Sequence, residues 1–277
     1  MTDVAHDLLR LAALFSAGLI LLAGTTADLY FLFLAQRQHG VFLLPHRRDL
    51  EQRPFGVQQV LLVLVATLFL SLPALFGKNE AKTPSEASLL LGPVVYALAG
   101  LLAAALGLYV ARATFRQAFG SVGCGARQAV GKGLFYGVAV VPPVMLLSHV
   151  MAAAADVLGF EPRPQEVFDW LSDEGVSDGT RVCLMASAIM LAPVIEEVLF
   201  RGVLFPALLK ARAFASAALL SGLYFALVHM HAVSLLPLLA LSVAFSAAYA
   251  ATGSLLTPIV MHAIFNATSL LLYLSGP

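Results

Sequence analysis

The sequence predicts an all-α fold, a polytopic bundle of about eight transmembrane helices, and its composition and charge pattern carry that prediction. Of the 277 residues 60% are hydrophobic and 12% are charged, and the mean hydropathy is +0.89. Soluble domains are about 45–50% apolar and about 25% charged. The charged residues also cluster, which leaves long apolar stretches between them. Because helices satisfy their own backbone hydrogen bonds in lipid, we expect residues 1–277 to form a single integral membrane domain.

Eight apolar stretches are long enough to cross the hydrocarbon, which takes roughly 20 residues of helix. We expect the first to stay as a span, because the N-terminus carries Asp3 and Asp7 and lacks the basic region of a cleaved signal peptide. Cys124 and Cys183 lie in a predicted loop and a predicted span, so they give no disulfide framework or metal-binding pair. In chain order the stretches are residues 9–34, 57–76, 88–111, 133–158, 180–209, 214–232, 234–252 and 256–275.

Lysine and arginine are unevenly distributed among the loops, and short cytoplasmic loops are the ones that retain them. Their number alternates high, low, high, low, high, which favours an even number of spans with both termini outside. The formal net charge of zero gives no attraction to nucleic acid, so we expect none as a partner. In a prokaryotic source the membrane would be the plasma membrane. The basic residues are Arg37, Arg47, Arg48, Arg53, Arg112, Arg116, Arg127, Lys132, Lys210 and Arg212 in the first, third and fifth loops, against Lys78, Lys82 and Arg163 in the second and fourth.

Several ionisable side chains fall inside the predicted spans of the last hundred residues. Each costs roughly 2.5–3.5 kcal/mol at the centre of a membrane helix, so such groups face the protein interior or a wet cavity and usually have a function. Phe225 and His229 share one helical face, and the ring is expected to form a wall of the site. The ionisable residues are Glu196, Glu197, Arg201, His229 and His262.

Helical spacing separates these residues into two groups. Glu197 and Arg201 are four residues apart on one face, so we expect a structural ion pair. Glu196 is rotated by about 100° from its neighbour and is left free to face a cavity as a general base. His262 and Asn266 are also four residues apart and present two hydrogen-bonding groups to one point.

Three motifs follow one another on consecutive apolar segments: EExxxR from Glu196, FxxxH from Phe225 and HxxxN from His262. In this order they resemble the CAAX prenyl endopeptidase and bacteriocin-processing family of intramembrane proteases. The stretch TGSLLTPIVMH at 252–262 is similar to that family's last motif. The resemblance covers roughly residues 180–275, which would form the catalytic core, and the four N-terminal spans match only in being apolar.

The resemblance implies a scheme of catalysis and a class of substrate. Glu196 would activate a water molecule and His229 would help to hold it. His262 and Asn266 would stabilise the oxyanion that forms when the water attacks a peptide carbonyl. The substrate would be a membrane-associated protein or peptide in the lipid bilayer, including a prenylated CAAX tail in a source that makes one. No cofactor is expected.

Other readings of the same residues stay open at this point. Glu196, His229 and His262 are legitimate zinc ligands, and a zinc-dependent membrane protease is the less favoured alternative because HExxH is absent. A transporter also places carboxylates and histidines near the midplane, although the two halves show no matching interrupted helices. A catalytically idle immunity partner is a further alternative. A serine protease lacks its GxSG signal, and an aspartyl protease would have only Asp28.

Counting along straight helices also predicts a conflict of depth. Glu196 would lie near the midplane, but His229 would lie near the outer end of the sixth span and His262 toward the inner end of the eighth. The three side chains converge only if helices tilt, break or end elsewhere, and Pro193, Gly202 and Pro258 are the candidates for such breaks.

Overall fold

The computed structural model describes residues 2–37, 44–76, 85–160 and 166–275, and all regular structure within them is helical, which confirms the all-α class. Two of the helical segments have π geometry. The helices are α1 (Thr2–Arg37), α2 (Arg47–Glu51), α3 (Val57–Phe76), α4 (Glu86–Ala111), α5 (Phe115–Phe119), α6 (Ala126–Val157), α7 (Glu166–Ser172), α8 (Asp178–Ala186), π1 (Ser187–Leu191), α9 (Ala192–Glu197), π2 (Val198–Leu204), α10 (Phe205–Leu209), α11 (Phe214–Val228), α12 (Leu235–Thr252) and α13 (Leu256–Leu274).

All eight apolar stretches of the sequence form helices, and the chain is a multi-pass membrane protein. Two apolar helical stretches, Val57–Ser71 and Phe214–Val228, are shorter than a full span. Large apolar side chains on the outer faces of the bundle are exposed, for example Phe69 at 69% and Leu102 at 69%, as expected of surfaces that contact lipid. The stretches long enough to cross a membrane are Leu11–Leu29, Glu86–Ala111, Ala126–Val157, Asp178–Leu209, Leu235–Thr252 and Leu256–Leu274.

Helix α11 ends four residues earlier than the sequence indicated. The expected span ran to residue 232, whereas the helix stops at Val228 with His229 as its C-cap. Met230 then adopts a left-handed conformation with φ of 53°, and its backbone N–H donates to the carbonyl of Leu227. A turn at this point releases the chain from the helix, so α11 is too short to cross the bilayer alone.

The helix between residues 178 and 209 is continuous but irregular, and prolines account for its irregularity. A proline ring removes one N–H and clashes with the carbonyl four residues earlier. For Pro193 that carbonyl belongs to Ile189 inside π1, and for Pro206 it belongs to Gly202 inside π2. The wider π turns accommodate these clashes, and such π segments are frequent at functional sites. The two segments enclose α9, the six residues that end in Glu196 and Glu197.

Glycines allow the closest helix contacts. A Cβ on Gly137 of α6 would lie 2.8 Å from Cδ1 of Ile264 and 3.1 Å from Cα of Met261, both on α13. Small residues at helix interfaces are the usual way in which membrane helices approach closely. This contact holds α13, and with it His262, against the N-terminal half of the chain.

The connections gather at two opposite ends of the bundle. The α2 end holds α2, α5 and the turns at 112–125, 210–213 and 253–255, where the N–H of His46 donates to the carbonyl of Ala250 and that of Val122 to the carbonyl of Gly253. The α7 end holds α7, the loop at 173–177, the turn at 229–234 and the first turns of α4 and α8. There the N–H of Ser177 donates to Oε1 of Glu86 at 2.6 Å. Lys78, Lys82 and Arg163, the basic residues of the second and fourth loops, lie outside the described residues.

Candidate active site

The two adjacent glutamates of α9 have different environments. Glu197 is fully buried, whereas the side chain of Glu196 keeps 13% of its surface exposed. Successive residues of a helix point about 100° apart, so only one of them can face a given cavity. Helix α9 therefore directs one carboxylate into the packed interior and the other toward open space.

Glu197 and Arg201 are in contact at the spacing that suggested an ion pair. Nη1 of Arg201 donates to Oε1 of Glu197 at 3.0 Å, and both side chains are fully buried. Nη2 of Arg201 donates to the carbonyl and the hydroxyl of Ser242 on α12, at 3.0 and 2.5 Å. The guanidinium also lies 4.8 Å from the ring centre of Phe225 and 5.0 Å from that of Phe245. A charge buried this deeply requires such partners.

His262 connects the buried ion pair to Glu196. Its Nδ1 lies 2.9 Å from Oε1 of Glu197. A carboxylate only accepts hydrogen bonds, so Nδ1 carries the hydrogen and Nε2 is an acceptor in the neutral ring. Nε2 lies 3.8 Å from Oε2 of Glu196. The buried pair thus sets the tautomer of an imidazole that faces the carboxylate of Glu196.

His229 is oriented in the same way by a different group. Its Nδ1 donates to the backbone carbonyl of Phe225 at 2.7 Å, one helical turn earlier. Nε2 is therefore directed away from the helix and lies 4.0 Å from Oε2 of Glu196. The position of His229 along the chain brings it there. His229 is 15 residues from Phe214 and Glu196 is 13 residues from Leu209, so both lie about 20 Å from the turn that joins their helices.

Nε2 of His229 and Nε2 of His262 therefore both lie close to Oε2 of Glu196, and all three atoms are hydrogen-bond acceptors. Oε2 of Glu196 is buried and has no hydrogen-bond partner among the described residues. Its other oxygen, Oε1, accepts from the hydroxyl of Tyr96 on α4 at 3.2 Å. A water molecule, with two hydrogens to donate, suits a point surrounded by a carboxylate oxygen and two imidazole nitrogens.

A cavity of about 480 Å³ opens beside this point. Glu196 and His229 line it, whereas Phe225, His262 and Asn266 do not. Its walls are mostly apolar, as is usual for ligand sites, with a few convergent polar groups. The lining residues come from α3, α4, α7, the irregular helix and the end of α11: Thr67, Leu70, Ser71, Ser88, Leu89, Gly92, Pro93, Tyr96, Val167, Trp170, Leu184, Ser187, Ala188, Leu191, Ala192, Glu196, Phe200, Val228, His229 and Met230.

Two residues do not occupy the positions that the sequence suggested: Asn266 was expected beside the oxyanion, and Phe225 was expected as a wall of the site. Nδ2 of Asn266 donates to the carbonyl of Ala188 in π1 at 2.8 Å, and no contact joins the amide to Glu196. The ring of Phe225 is fully buried and packs behind the two imidazoles, with ring centres 4.6 Å from His229 and 5.9 Å from His262. It supports the histidines from behind and does not form the cavity wall that its spacing suggested.

The proposed zinc ligands do not form a metal site as they stand. Ligand atoms bound to one tetrahedral zinc ion at about 2.0–2.1 Å lie roughly 3.3 Å from one another. The two imidazole nitrogens lie 3.8 and 4.0 Å from Oε2 of Glu196. Among the residues that the structure describes, no group of three or more histidine, cysteine, aspartate and glutamate side chains is arranged to hold a metal ion.

Three contributors to the site lie outside the sequence motifs. Tyr96 bonds Glu196, Ser242 bonds Arg201, and Phe245 lies beside both Arg201 and His262. Tyr96 lies in α4, whereas Ser242 and Phe245 lie in α12, and in both spans one hydroxyl or ring gives no periodic signal. The one hint in the sequence is Tyr96 itself, because a tyrosine inside an apolar span usually needs a hydrogen-bond partner for its hydroxyl.

Comparison with known proteins identifies the C-terminal part of the chain. Neither a curated protein nor a solved structure matches it. Residues 178–268 match the family model described as type II CAAX prenyl endopeptidase Rce1-like. The matched range contains all three motifs, α9 with its two glutamates, and both histidines. The match confirms the resemblance drawn from those motifs: this third of the chain is similar to the type II CAAX prenyl endopeptidase family.

Proposed function

We propose that this protein is an intramembrane endopeptidase that hydrolyses a peptide bond with a water molecule activated by Glu196. The observation that carries the proposal is the unpaired Oε2 of Glu196, 4.0 Å from Nε2 of His229 and 3.8 Å from Nε2 of His262. Glu196 and His229 border the cavity, so a peptide carbonyl that enters it comes within reach of a water held at this point. The family match supports a membrane endopeptidase in general.

The proton balance of the reaction runs through Glu196. The water donates one hydrogen to Oε2 of Glu196 and the other to Nε2 of His229. As its oxygen attacks the carbonyl carbon, the proton passes to Glu196, and a tetrahedral intermediate with one negative oxygen forms. Glu196 then returns the proton to the leaving amine, and the peptide bond breaks. A positioned base of this kind contributes roughly 10²–10⁴-fold to the rate.

His262 is the proposed donor to the negative oxygen. Nδ1 of His262 donates to Glu197, so its Nε2 can donate to the oxyanion only in the ring form in which both nitrogens carry a hydrogen, and that is the form proposed for this step. One donor to an oxyanion is typically worth 10²–10³ in turnover. Asn266 can assist only with the second hydrogen of its amide, because the first is bonded to Ala188.

The proposal includes no metal ion or other cofactor. The substrate is a membrane-associated protein or peptide, and the mostly apolar lining of the cavity supports an apolar segment next to the scissile bond. The bilayer is the other partner, and in a prokaryotic cell it is the plasma membrane. Nucleic acid has no part in the proposed activity.

Proteolysis by the reconstituted full-length protein tests this proposal. Glu196→Gln is compared with the wild type and with Glu174→Gln, which changes an exposed carboxylate in the loop before α8. The probe is a set of quenched fluorescent peptides with an apolar segment, and mass spectrometry identifies the cleaved bond. We expect Glu196→Gln to lose at least about 10²-fold in turnover while the control stays at the wild-type rate.

Two outcomes would contradict the proposal. Near-normal turnover by Glu196→Gln would exclude the carboxylate as the base. Stoichiometric zinc that copurifies with the wild type and disappears in His262→Ala would support the zinc-dependent mechanism instead. Full activity in the presence of a chelator, with no bound metal, is the result that we expect.

A further inference from the structure

The α2 end of the bundle is strongly basic. Within the described residues it carries nine lysine and arginine side chains and only two carboxylates, Asp49 and Glu51. Glu51 is already paired with Arg47 at 2.8 Å, and Asp49 contacts His46 at 3.2 Å. The nine basic residues are Arg47, Arg48, Arg53, Arg112, Arg116, Arg127, Lys132, Lys210 and Arg212.

The α7 end has the opposite character. Arg181 is the one lysine or arginine at this end whose side chain the structure describes, and its Nη1 donates to Asp178 at 2.9 Å. Six carboxylates with described side chains lie at the same end. They are Glu86, Asp156, Asp169, Asp173, Glu174 and Asp178, and five of the six are exposed, Asp173 being half-buried.

The cavity lies in the half of the bundle next to the α7 end. Its lining comes from the last turns of α3, the first turns of α4 and the irregular helix, α7 itself, and residues 228–230 after α11. Glu196 lies 13 residues from Leu209, or about 20 Å of helix, and Lys210 follows directly at the basic end. The hydrocarbon is roughly 30 Å thick, so Glu196 lies about 10 Å from the boundary at the α7 end.

We propose that the cavity is entered from the extracytoplasmic side of the membrane and that the substrate's scissile bond lies on that side. Lysine and arginine in short loops remain cytoplasmic. Counted over the whole sequence, ten of them belong to the α2 end, with Arg37, and five to the α7 end, with Arg10, Lys78, Lys82 and Arg163. This two-to-one contrast assigns the α2 end to the cytoplasm. The α7 end, with the cavity, then faces outward. This inference rests on the proposed proteolytic function and adds to it the side of the membrane on which cleavage occurs.

The proposal narrows the class of substrate. A bond that is reached from outside belongs to an exported chain or to the outward-facing part of a membrane protein. A lipid-modified tail that is made and kept in the cytoplasm cannot reach the cavity in this orientation. The prenylated CAAX tail suggested by the family resemblance is therefore not the substrate we expect.

Labelling of single cysteines in intact cells tests the orientation without any need for activity. The native Cys124 and Cys183 are replaced by serine, and one reporter is introduced at each end of the full-length protein. Glu174→Cys reports on the α7 end and Gln128→Cys on the α2 end, and both native side chains are exposed. Neither change alters the number of lysines and arginines, which is what sets orientation.

With a membrane-impermeant maleimide, we expect Glu174→Cys to react in intact cells and Gln128→Cys to react only after permeabilisation. The reverse pattern would overturn the proposal, and so would equal labelling of both positions before permeabilisation, which would mean a mixed orientation.

Vesicles of known orientation then test the side of the membrane on which cleavage occurs. A quenched peptide with an apolar segment and a charged, impermeant tail is added to right-side-out and to inside-out vesicles. We expect cleavage in the right-side-out vesicles, and cleavage confined to the inside-out vesicles would overturn the extracytoplasmic assignment. If detergent-solubilised protein cleaves none of the peptides, the proteolytic function fails, while the labelling result still decides which way the cavity faces.

Discussion

Removing the carboxylate of Glu197 should destabilise the whole protein, because the contact that it breaks is fully buried. Glu197 and Arg201 have no exposed surface, and their atoms meet at 3.0 Å. Loss of one partner of a buried pair costs roughly 3–5 kcal/mol, since the other charge is left stranded. Arg201 keeps its two bonds to Ser242, but these are bonds to neutral groups and do not balance its charge. We therefore expect Glu197→Gln to lower the free energy of unfolding by about that amount.

Replacing Arg201 should destabilise the protein less than replacing Glu197. The loss in unfolding free energy of the double variant should not equal the sum of the two single losses. In Arg201→Met, Glu197 still accepts a hydrogen bond from His262 at 2.9 Å, so its charge keeps one partner. The double variant removes both charges, and residues in direct contact typically show a coupling energy of about 0.5–3 kcal/mol. The assay is equilibrium unfolding in detergent, followed by the fluorescence of Trp170, the single tryptophan of the chain.

An exposed ion pair provides the matched control. Arg47 and Glu51 are also four residues apart and meet at 2.8 Å, but their side chains are 42% and 30% exposed. Such surface pairs contribute about 0–1 kcal/mol, so Glu51→Gln should be nearly neutral. Strict additivity of Glu197→Gln and Arg201→Met, or losses no larger than that of the control, would refute the reasoning.

Three further changes test other contacts of the site and fold. Tyr96→Phe removes a hydrogen bond to a charged group and should lower the free energy of unfolding by about 1.5–3 kcal/mol. Turnover of the peptide probe per folded molecule should also fall, because Glu196 loses the bond that orients its carboxylate. Unchanged turnover would show that the hydroxyl does not act through the base. Asn266→Ala leaves the carbonyl of Ala188 without a donor and should lower stability by about 1–3 kcal/mol. If turnover per folded molecule instead falls by 10²–10³, the amide is a donor to the oxyanion. Gly137→Leu overpacks the interface between α6 and α13 and should cost about 1–3 kcal/mol, whereas Gly131→Leu, with open space around it, should be tolerated in the same melting assay.

Much of the fold follows from local sequence, because a membrane span is a local property. All eight apolar stretches form helices, and most of their limits agree with the structure within three residues, although α1 and α6 each begin seven residues before the expected stretch. Among the C-terminal ends, that of α11 differs most, because its apolar sequence continues past Val228. Its end depends on the turn at Met230, which no helix-stop residue announces. The expected conflict of depth between Glu196 and His229 does not arise, because the two residues lie at similar distances along their helices from the turn at 210–213.

The site was predictable where its contacts lie within one helix and not where they cross between helices. The spacing of four residues anticipated the contact between Glu197 and Arg201. No spacing within one helix could indicate that His262 donates to Glu197 or that Tyr96, a hundred residues earlier, donates to Glu196. Such contacts depend on how the helices pack, and packing is set by distant small residues such as Gly137.

The two π segments that enclose α9 have a consequence for the adjacent glutamates. A π turn holds one more residue than an α turn, so each segment shifts the register of everything beyond it by one position. One position is about 100° of rotation, the same angle that separates Glu196 from Glu197. If residues 187–191 formed a regular α-helix, α9 would be rotated by about this angle relative to α8, and Glu196 would no longer point toward the cavity. The roles of two chemically identical side chains are therefore assigned by irregularities in the backbone, which Pro193 and Pro206 maintain.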